Sequence, residues 1–239
     1  MGTVRLEAMT ANLAQNASDA PRGLFITFEG GEAAGKSTQV RLLQKACIEA
    51  GLQVLVTFEP GDSALGKELR RQVMNGPQDV DPRTEALLYA ADRAYHVATK
   101  IRPALQAGKV VICDRYIDSS VAYQGMGRDL GEQEIRQLSE WATDGLNPDI
   151  TVLLDLDLDT AAHRLAERGM GQDRIEGAGR AFHKQVRAAF LNMAQESNGR
   201  ICRIDGSKTV EEVKEDIFSV LEQLPWFVQR GIELPREAK

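Results

Sequence analysis

The sequence predicts an α/β fold, a parallel sheet covered by helices on both faces, and two observations carry this. Five short apolar runs recur along the chain: Leu24–Phe28, Val54–Phe58, Val110–Cys113, Thr151–Leu156 and Ile201–Ile204, with helical patterns between them. Short apolar runs without strict alternation suit strands buried on both faces. The first run also leads through Gly30-Gly31-Glu32-Ala33-Ala34-Gly35-Lys36-Ser37 into a helical pattern from Thr38 to Gly51. Strand, glycine-rich turn and helix in that order make a phosphate-binding unit.

The turn fits G-x-x-x-x-G-K-[ST]. Its glycines let the backbone curl so that successive N–H groups point at phosphate oxygens. The helix behind it adds the partial positive charge of its N-terminus. Lys36 can reach the outer phosphates, and the Ser37 hydroxyl can ligate Mg²⁺. Gly30 through Thr38 are therefore the candidate nucleotide-phosphate site. Ligands of such sheets bind beyond the C-terminal strand ends. Polar or glycine-bearing strings stand there in this chain: Glu59-Pro60-Gly61 after the second run, Asp114-Arg115 after the third and Asp205-Gly206-Ser207 after the fifth. Asp81 to Gly108 reads as one long helix, with Asp81 as cap, Pro82 in the first turn, Gly108 at the end and Pro103 bending it.

Length allows one large domain or two small ones at 239 residues. The division expected is a disordered tail over 1–22, a folded unit over 23–224 and a surface-wrapping tail over 225–239. Residues 1–22 lack the hydrophobic centre of a secretory signal, and Met9 could serve as an alternative start. A net charge of −6 argues against general nucleic-acid affinity. No apolar stretch approaches the roughly 20 residues that a membrane helix needs. Three cysteines, Cys47, Cys113 and Cys202, form no Cys-x-x-Cys and read as reduced thiols of a cytoplasmic protein. The three histidines have no ligand spacing.

Four constellations carry chemistry, each with a plainer alternative. Asp114 could hold Mg²⁺ or its waters and Arg115 could grip a phosphate, or the two could be an ion pair at a strand end. Arg164, Arg168 and Arg174 flank Gly169-Met170-Gly171 as an arginine-bearing flap, or lie on a solvated helix. Ser119, Ser120, Tyr123 and Gln124 could read a base and a sugar, or the serines could cap a helix. Tyr89 and Arg93, four apart, could hold a nucleobase, or Tyr89 could be core beside a solvated Arg93.

These pieces in this order resemble bacterial thymidylate kinases over roughly residues 23–223. The strings that carry the resemblance are Phe28-Glu29-Gly30 with the phosphate loop, Glu59-Pro60-Gly61, Ala90-Ala91-Asp92-Arg93-Ala94, Asp114-Arg115-Tyr116, Ala122-Tyr123-Gln124-Gly125 and Asp173-Arg174-Ile175-Glu176. The resemblance implies a five-stranded parallel sheet of the P-loop NTPase type and a mobile lid at about 166–180. It implies phosphorylation of dTMP to dTDP by ATP with Mg²⁺, in a homodimer formed through the helices on the sheet's other side. It places Glu32 at the 3′-hydroxyl of dTMP and Arg70 and Arg115 at the dTMP phosphate. Tyr89 stacks on thymine and Arg93 bonds the base. Ser119, Ser120, Tyr123 and Gln124 wall the pocket, with Tyr123 crowding a 2′-hydroxyl. Glu59 lies near the metal and phosphates, and the loop from Asp205 near adenine.

Lys36, Arg115, Arg168 and Arg174 are then the catalytic candidates, with Ser37 and Asp114 at the metal. Some members of the family that the chain resembles place an arginine inside the phosphate loop; Ala33 and Ala34 stand there here, so the resemblance implies that the lid supplies the charge. Phe58 and Asp62 depart from an Arg-Glu-Pro-Gly-Gly-Thr pattern, and Asp62 is expected to repel the dTMP phosphate. Two other readings remain at this point: a kinase of another nucleotide or nucleoside, and a nucleotide-binding module without catalysis.

Overall fold

The computed structural model describes residues 22–77, 79–168, 175 and 177–236. Residues 1–21, 78, 169–174, 176 and 237–239 lie outside the described residues, so Arg174 and the centre of the expected lid do too, as does the side chain of Arg168.

The strands β1 (Phe25–Glu29), β2 (Val54–Phe58), β3 (Val110–Asp114), β4 (Ile150–Asp155) and β5 (Ile201–Asp205) form one parallel sheet, ordered β2-β3-β1-β4-β5. The first strand in sequence is thus the central one. Its side chains alternate between faces, as the period of two requires, and all five of its residues are buried. Ile26 and Phe28 join the core that includes Leu43, Phe218 and Leu221. Phe25 joins the core on the opposite face, with Val97, Ile101, Tyr116 and Phe190. The five apolar runs of the sequence match these strands to within a residue at either end.

Helix α1 (Lys36–Glu49) follows the phosphate loop. Helix α2 (Ala64–Asn75) is capped by Ser63, whose Oγ accepts from the Gly66 N–H at 2.8 Å. The predicted long helix is three pieces: α3 (Pro82–His96), a π-helical turn (Val97–Ile101) and α4 (Arg102–Gln106). Asp81 caps it as expected, accepting from the N–H groups of Arg83 and Thr84. Pro103 has no N–H for the carbonyl four residues back. The chain widens just ahead of it, and the Arg102 N–H bonds the Val97 carbonyl five residues back. Gly108 closes the helix at φ 76°.

Next come α5 (Ile117–Ser120) with a π-helical turn (Val121–Met126), α6 (Glu132–Thr143), α7 (Leu158–Arg168) and α8 (Arg180–Glu196). Helix α9 (Val210–Leu221) opens with a reciprocal Thr209–Glu212 capping box. The segment read as a surface tail begins with α10 (Pro225–Val228) and is tied to the core. Phe227 and Leu234 are buried in it, and the Trp226 indole donates to the Arg22 carbonyl at 3.2 Å.

Candidate active site

The phosphate loop leaves the centre of the sheet where β1 ends. Gly30 sits at φ 137°, and a Cβ there would meet the Leu154 carbonyl oxygen at 2.4 Å. Only glycine lets the loop pass so close to β4. Ala33 and Gly35 also have positive φ, and Gly35 opens α1. Lys36 is buried and folds back over the loop, donating from Nζ to the carbonyls of Gly30 at 3.2 Å and Gly31 at 3.1 Å. Burial, and then the neighbouring Arg115 cation, push its pKa down.

The end of β3 supplies the next groups. Arg115 adopts φ 71°, rare for a residue with a side chain. That backbone turn sends its guanidinium back across the loop. It donates to the Gly30 carbonyl at 3.2 Å, the Ser119 hydroxyl at 3.1 Å and Glu32 Oε1 at 2.6 Å. The Tyr123 hydroxyl donates to the same Glu32 oxygen at 2.9 Å, and the Arg115 guanidinium lies 5.1 Å from the centre of the Tyr123 ring. Burial raises the Glu32 carboxyl, but Arg115, Lys36 and the Tyr123 hydroxyl outweigh it and hold the group at about 2. Glu32, Arg115 and Tyr123 therefore form one preorganised cluster.

Asp114 stands beside this cluster. The Ser37 hydroxyl donates to its Oδ2 at 3.2 Å, while its buried Oδ1 has no hydrogen-bond partner among the described residues. An unsatisfied carboxylate oxygen next to a hydroxyl at a phosphate site is a donor set that suits a hard divalent cation.

The loop after β2 builds the facing wall. Arg93 is 2% exposed, which excludes the solvated alternative. Its guanidinium donates to Glu59 at 2.7 Å, to the Tyr116 carbonyl and Ser120 hydroxyl at 3.0 Å each, and to Ser139 at 3.4 Å. It stacks over Tyr116, 5.4 Å from the ring centre. Arg70 donates to the Pro60 carbonyl at 2.8 Å and lies over the half-exposed Phe58 ring. Asp62 turns to Lys100 at 3.0 Å and accepts from Thr57 at 2.5 Å. Its charge is therefore compensated within the protein, which revises the expectation that it repels a phosphate.

Glu32 through Thr38, Arg70, Tyr89, Arg93, Asp114, Arg115, Ser119, Ser120, Tyr123 and Gln124 all line one cleft of about 750 Å³. Gly30 and Gly31 border a neighbouring cavity instead. The serines do not cap α5: Ser119 donates to Glu29 at 2.5 Å and Ser120 accepts from Arg93. Gln124 donates to buried Glu85 at 2.8 Å. Arg164 reaches the phosphate loop, 3.4 Å from the Ala33 carbonyl. The loop at Gly206 also approaches it, since a Cβ there would lie 3.4 Å from the Ala34 carbonyl.

Sequence reasoning missed several groups. Glu29 is fully buried at the end of β1 and accepts from the N–H groups of Tyr116 and Ser119, pinning α5 to the central strand. Burial and then Asp118 push its carboxyl up to about 7. An acid closing an apolar run was the available signal. Asp92, buried beside Gly61, stood in the string Ala90–Ala94 without an assigned role, and His96, buried beside Glu59, gave no signal beyond its place on α3.

Comparison with known proteins sets this geometry in a family. The thymidylate kinase family profile matches residues 28–217. A thymidylate kinase of Leifsonia xyli subsp. xyli is 53% identical over 195 residues, covering 82% of this chain and 92% of its own. One from Bifidobacterium longum is 48% identical over 206 residues, covering 84% and 98%. The crystal structure of thymidylate kinase from Ehrlichia chaffeensis superposes with a TM-score of 0.68 at 32% identity, over 84% of this chain and 99% of that one. With the profile spanning most of the folded chain and relatives near half identity over almost their full length, the chain belongs to the thymidylate kinase family.

Proposed function

We propose that the cleft between the phosphate loop and the loop after β2 holds ATP and dTMP head to head. As a thymidylate kinase the chain transfers a phosphoryl group from ATP to dTMP, giving ADP and dTDP. The observation that carries the assignment of roles is the convergence of Lys36, Arg70, Arg93, Arg115 and Tyr123 on one cleft. Gly30 through Thr38 take the ATP phosphates on their N–H groups and on Lys36. Arg70 and Arg115 hold the dTMP phosphate. Arg93, Ser119, Ser120 and Gln124 shape the base pocket, and Tyr89 covers thymine. Glu32 accepts from the 3′-hydroxyl, and Tyr123 leaves no room for a 2′-hydroxyl.

The dTMP phosphate is already an anion, so no general base is required. Positioning and charge neutralisation do the work of in-line transfer. Ser37 and Asp114 would hold Mg²⁺, which neutralises phosphate charge when bound. The unpartnered Asp114 Oδ1 supports this. Arg168 and Arg174 supply the lid charge. Exposed Leu65, Leu87, Tyr95 and Trp141 on α2, α3 and α6 support a homodimer through that side of the sheet. The three free thiols support a cytoplasmic setting, and burial pushes that of Cys47 up to about 12. Among the described residues no helix is long and apolar enough to cross a membrane.

An acceptor panel tests this reading: ATP with dTMP, its 3′-deoxy analogue, dUMP, ribo-TMP, UMP, CMP and thymidine. Wild type should use dTMP best and thymidine not at all. Glu32→Gln should cut the 3′-hydroxyl preference by about 10- to 100-fold, the scale of one hydrogen bond to a charged group. Tyr123→Ala should raise the relative use of ribo-TMP. Intact sugar preferences in both variants overturn the pocket assignment. For the lid, Arg174→Ala should lower kcat more than it raises KM for dTMP. A pure KM effect places Arg174 with the acceptor instead.

A further inference from the structure

A chain of hydrogen bonds runs behind the acceptor wall from the core to the surface. Arg93 Nε donates to Glu59 Oε2 at 2.7 Å, and Glu59 Oε1 lies 2.8 Å from His96 Nδ1. His96 Nε2 lies 2.6 Å from Thr57 Oγ1, and Thr57 Oγ1 lies 2.5 Å from Asp62 Oδ2, which faces Lys100 at 3.0 Å. Between Glu59 and Asp62 there are three short contacts, and each needs one proton. Thr57 supplies one. A neutral imidazole supplies only one more. With a neutral ring, one contact would set two lone pairs against each other in a buried site.

The third proton belongs on the ring. Glu59 already faces the Arg93 guanidinium at 2.7 Å and Asp62 the Lys100 ammonium at 3.0 Å, so both carboxylates are engaged as acceptors. The remaining groups around His96 fit this count. Asp92 takes the Gly61 N–H at 3.2 Å and 3.3 Å, and burial with the Glu59 charge pushes it up to about 6. Cys113 comes within 4.8 Å of the Glu59 and His96 ligand atoms, but its Sγ donates to the Arg115 carbonyl. Burial raises that thiol well above its usual range, so it is no competing anion.

We propose that His96 is a positioning residue, held as an imidazolium between Glu59 and Thr57, that clamps both ends of the Glu59–Asp62 loop and thereby sets Arg70 and Arg93 at the acceptor side of the cleft. Arg70 hangs on the middle of that loop. It bonds the Pro60 carbonyl and packs across Gly61, where a Cβ would meet its Cδ at 2.7 Å. Arg93 shares Glu59 with the ring. Removing the ring proton breaks one of the three contacts and loosens the loop that carries both arginines. The inference rests on the reading of this cleft as the dTMP site.

The test compares wild type with Asp62→Asn. An asparagine amide can donate to Thr57, which then donates to Nε2, so all three contacts close around a neutral ring with its proton on Nδ1. Nitrogen-15 NMR of the full-length protein reads the ring directly, with His96→Gln identifying its signals among the three histidines. Wild type should show both His96 nitrogens protonated at about pH 7.5, where a free imidazole is neutral, and Asp62→Asn a single protonated nitrogen. From about pH 6 to about pH 9, KM for dTMP should rise roughly tenfold in wild type with KM for ATP steady, and this rise should flatten in Asp62→Asn. Substrate ionisation is common to both proteins, so the difference between profiles reports on the protein. A neutral wild-type ring overturns the proposal whatever the kinetics show. A doubly protonated ring with identical dTMP profiles overturns the positioning role and points to a wrong acceptor assignment.

Discussion

Lys36→Ala should lower kcat by roughly 10³, the scale on which loss of one preorganised transition-state donor is felt. Nζ is buried and rests on two loop carbonyls, with Asp114, Glu32 and Glu29 as opposing charges. Two neutral carbonyls are weak partners for a desolvated ammonium, and burial disfavours its charged form. A phosphate oxygen is a far better partner, and one whose charge grows during transfer pulls hardest in the transition state. The lost contact should therefore appear mainly in kcat. Binding of dTMP, which the proposed reading assigns to Arg70 and Arg115, should change little. Turnover by ADP release and dTMP affinity by calorimetry check both halves. Near-normal turnover in a folded Lys36→Ala protein sinks the assignment.

What the sequence made legible was what is local in the chain. The strands announced themselves as apolar runs because both faces of a parallel sheet are buried. The phosphate loop announced itself because backbone curvature demands glycine at fixed spacing. Asp114-Arg115 and the Ser119–Gln124 string were readable because strand ends are where such sheets hold ligands.

What stayed hidden was set by packing between distant segments. Nothing in the spacing of Arg93 says that it stacks on Tyr116 and is consumed by Glu59, 34 residues away. Nothing marks Asp62 as a partner of Lys100 rather than a free charge facing a phosphate. Burial of a charged group is a tertiary property, so Glu29 and His96 look ordinary until the sheet is assembled. The tail after Leu224 read as surface for the same reason. Of its two anchors, Leu234 stands next to charged and proline residues and Phe227 lies in the short run Trp226-Phe227-Val228, and only the fold shows that each is buried.

Arg115 should be the most costly acceptor-side residue to lose, because it acts on stability and chemistry together. Its guanidinium ties the phosphate loop to α5 and neutralises Glu32, which is only one-fifth exposed. Holding the Glu32 carboxyl at about 2 instead of 4.5 corresponds to about 3 kcal/mol of folding stability. The sign follows from the direction of the shift. A depressed folded pKa stabilises above the unfolded value, and the contribution drains away as pH falls from about 4.5 through about 2. In Arg115→Ala the largest opposing charge is gone and burial drives the carboxyl up, so most of this contribution should already be missing at neutral pH. Urea unfolding should show a loss of about 3 kcal/mol, and kcat/KM for dTMP should fall by roughly 10³ as a phosphate-holding donor is lost. The backbone supplies an internal control. At φ 71° an alanine pays for its Cβ and a glycine does not, so Arg115→Gly should be more stable than Arg115→Ala by about 1 kcal/mol while equally impaired in catalysis. In a double-mutant cycle with Glu32→Gln the stability losses should fall short of additivity by about 2 kcal/mol, because each single change leaves the other partner buried alone. A coupling energy near zero would mean that Glu32 and Arg115 are held by the fold independently, and the preorganised cluster would lose its basis.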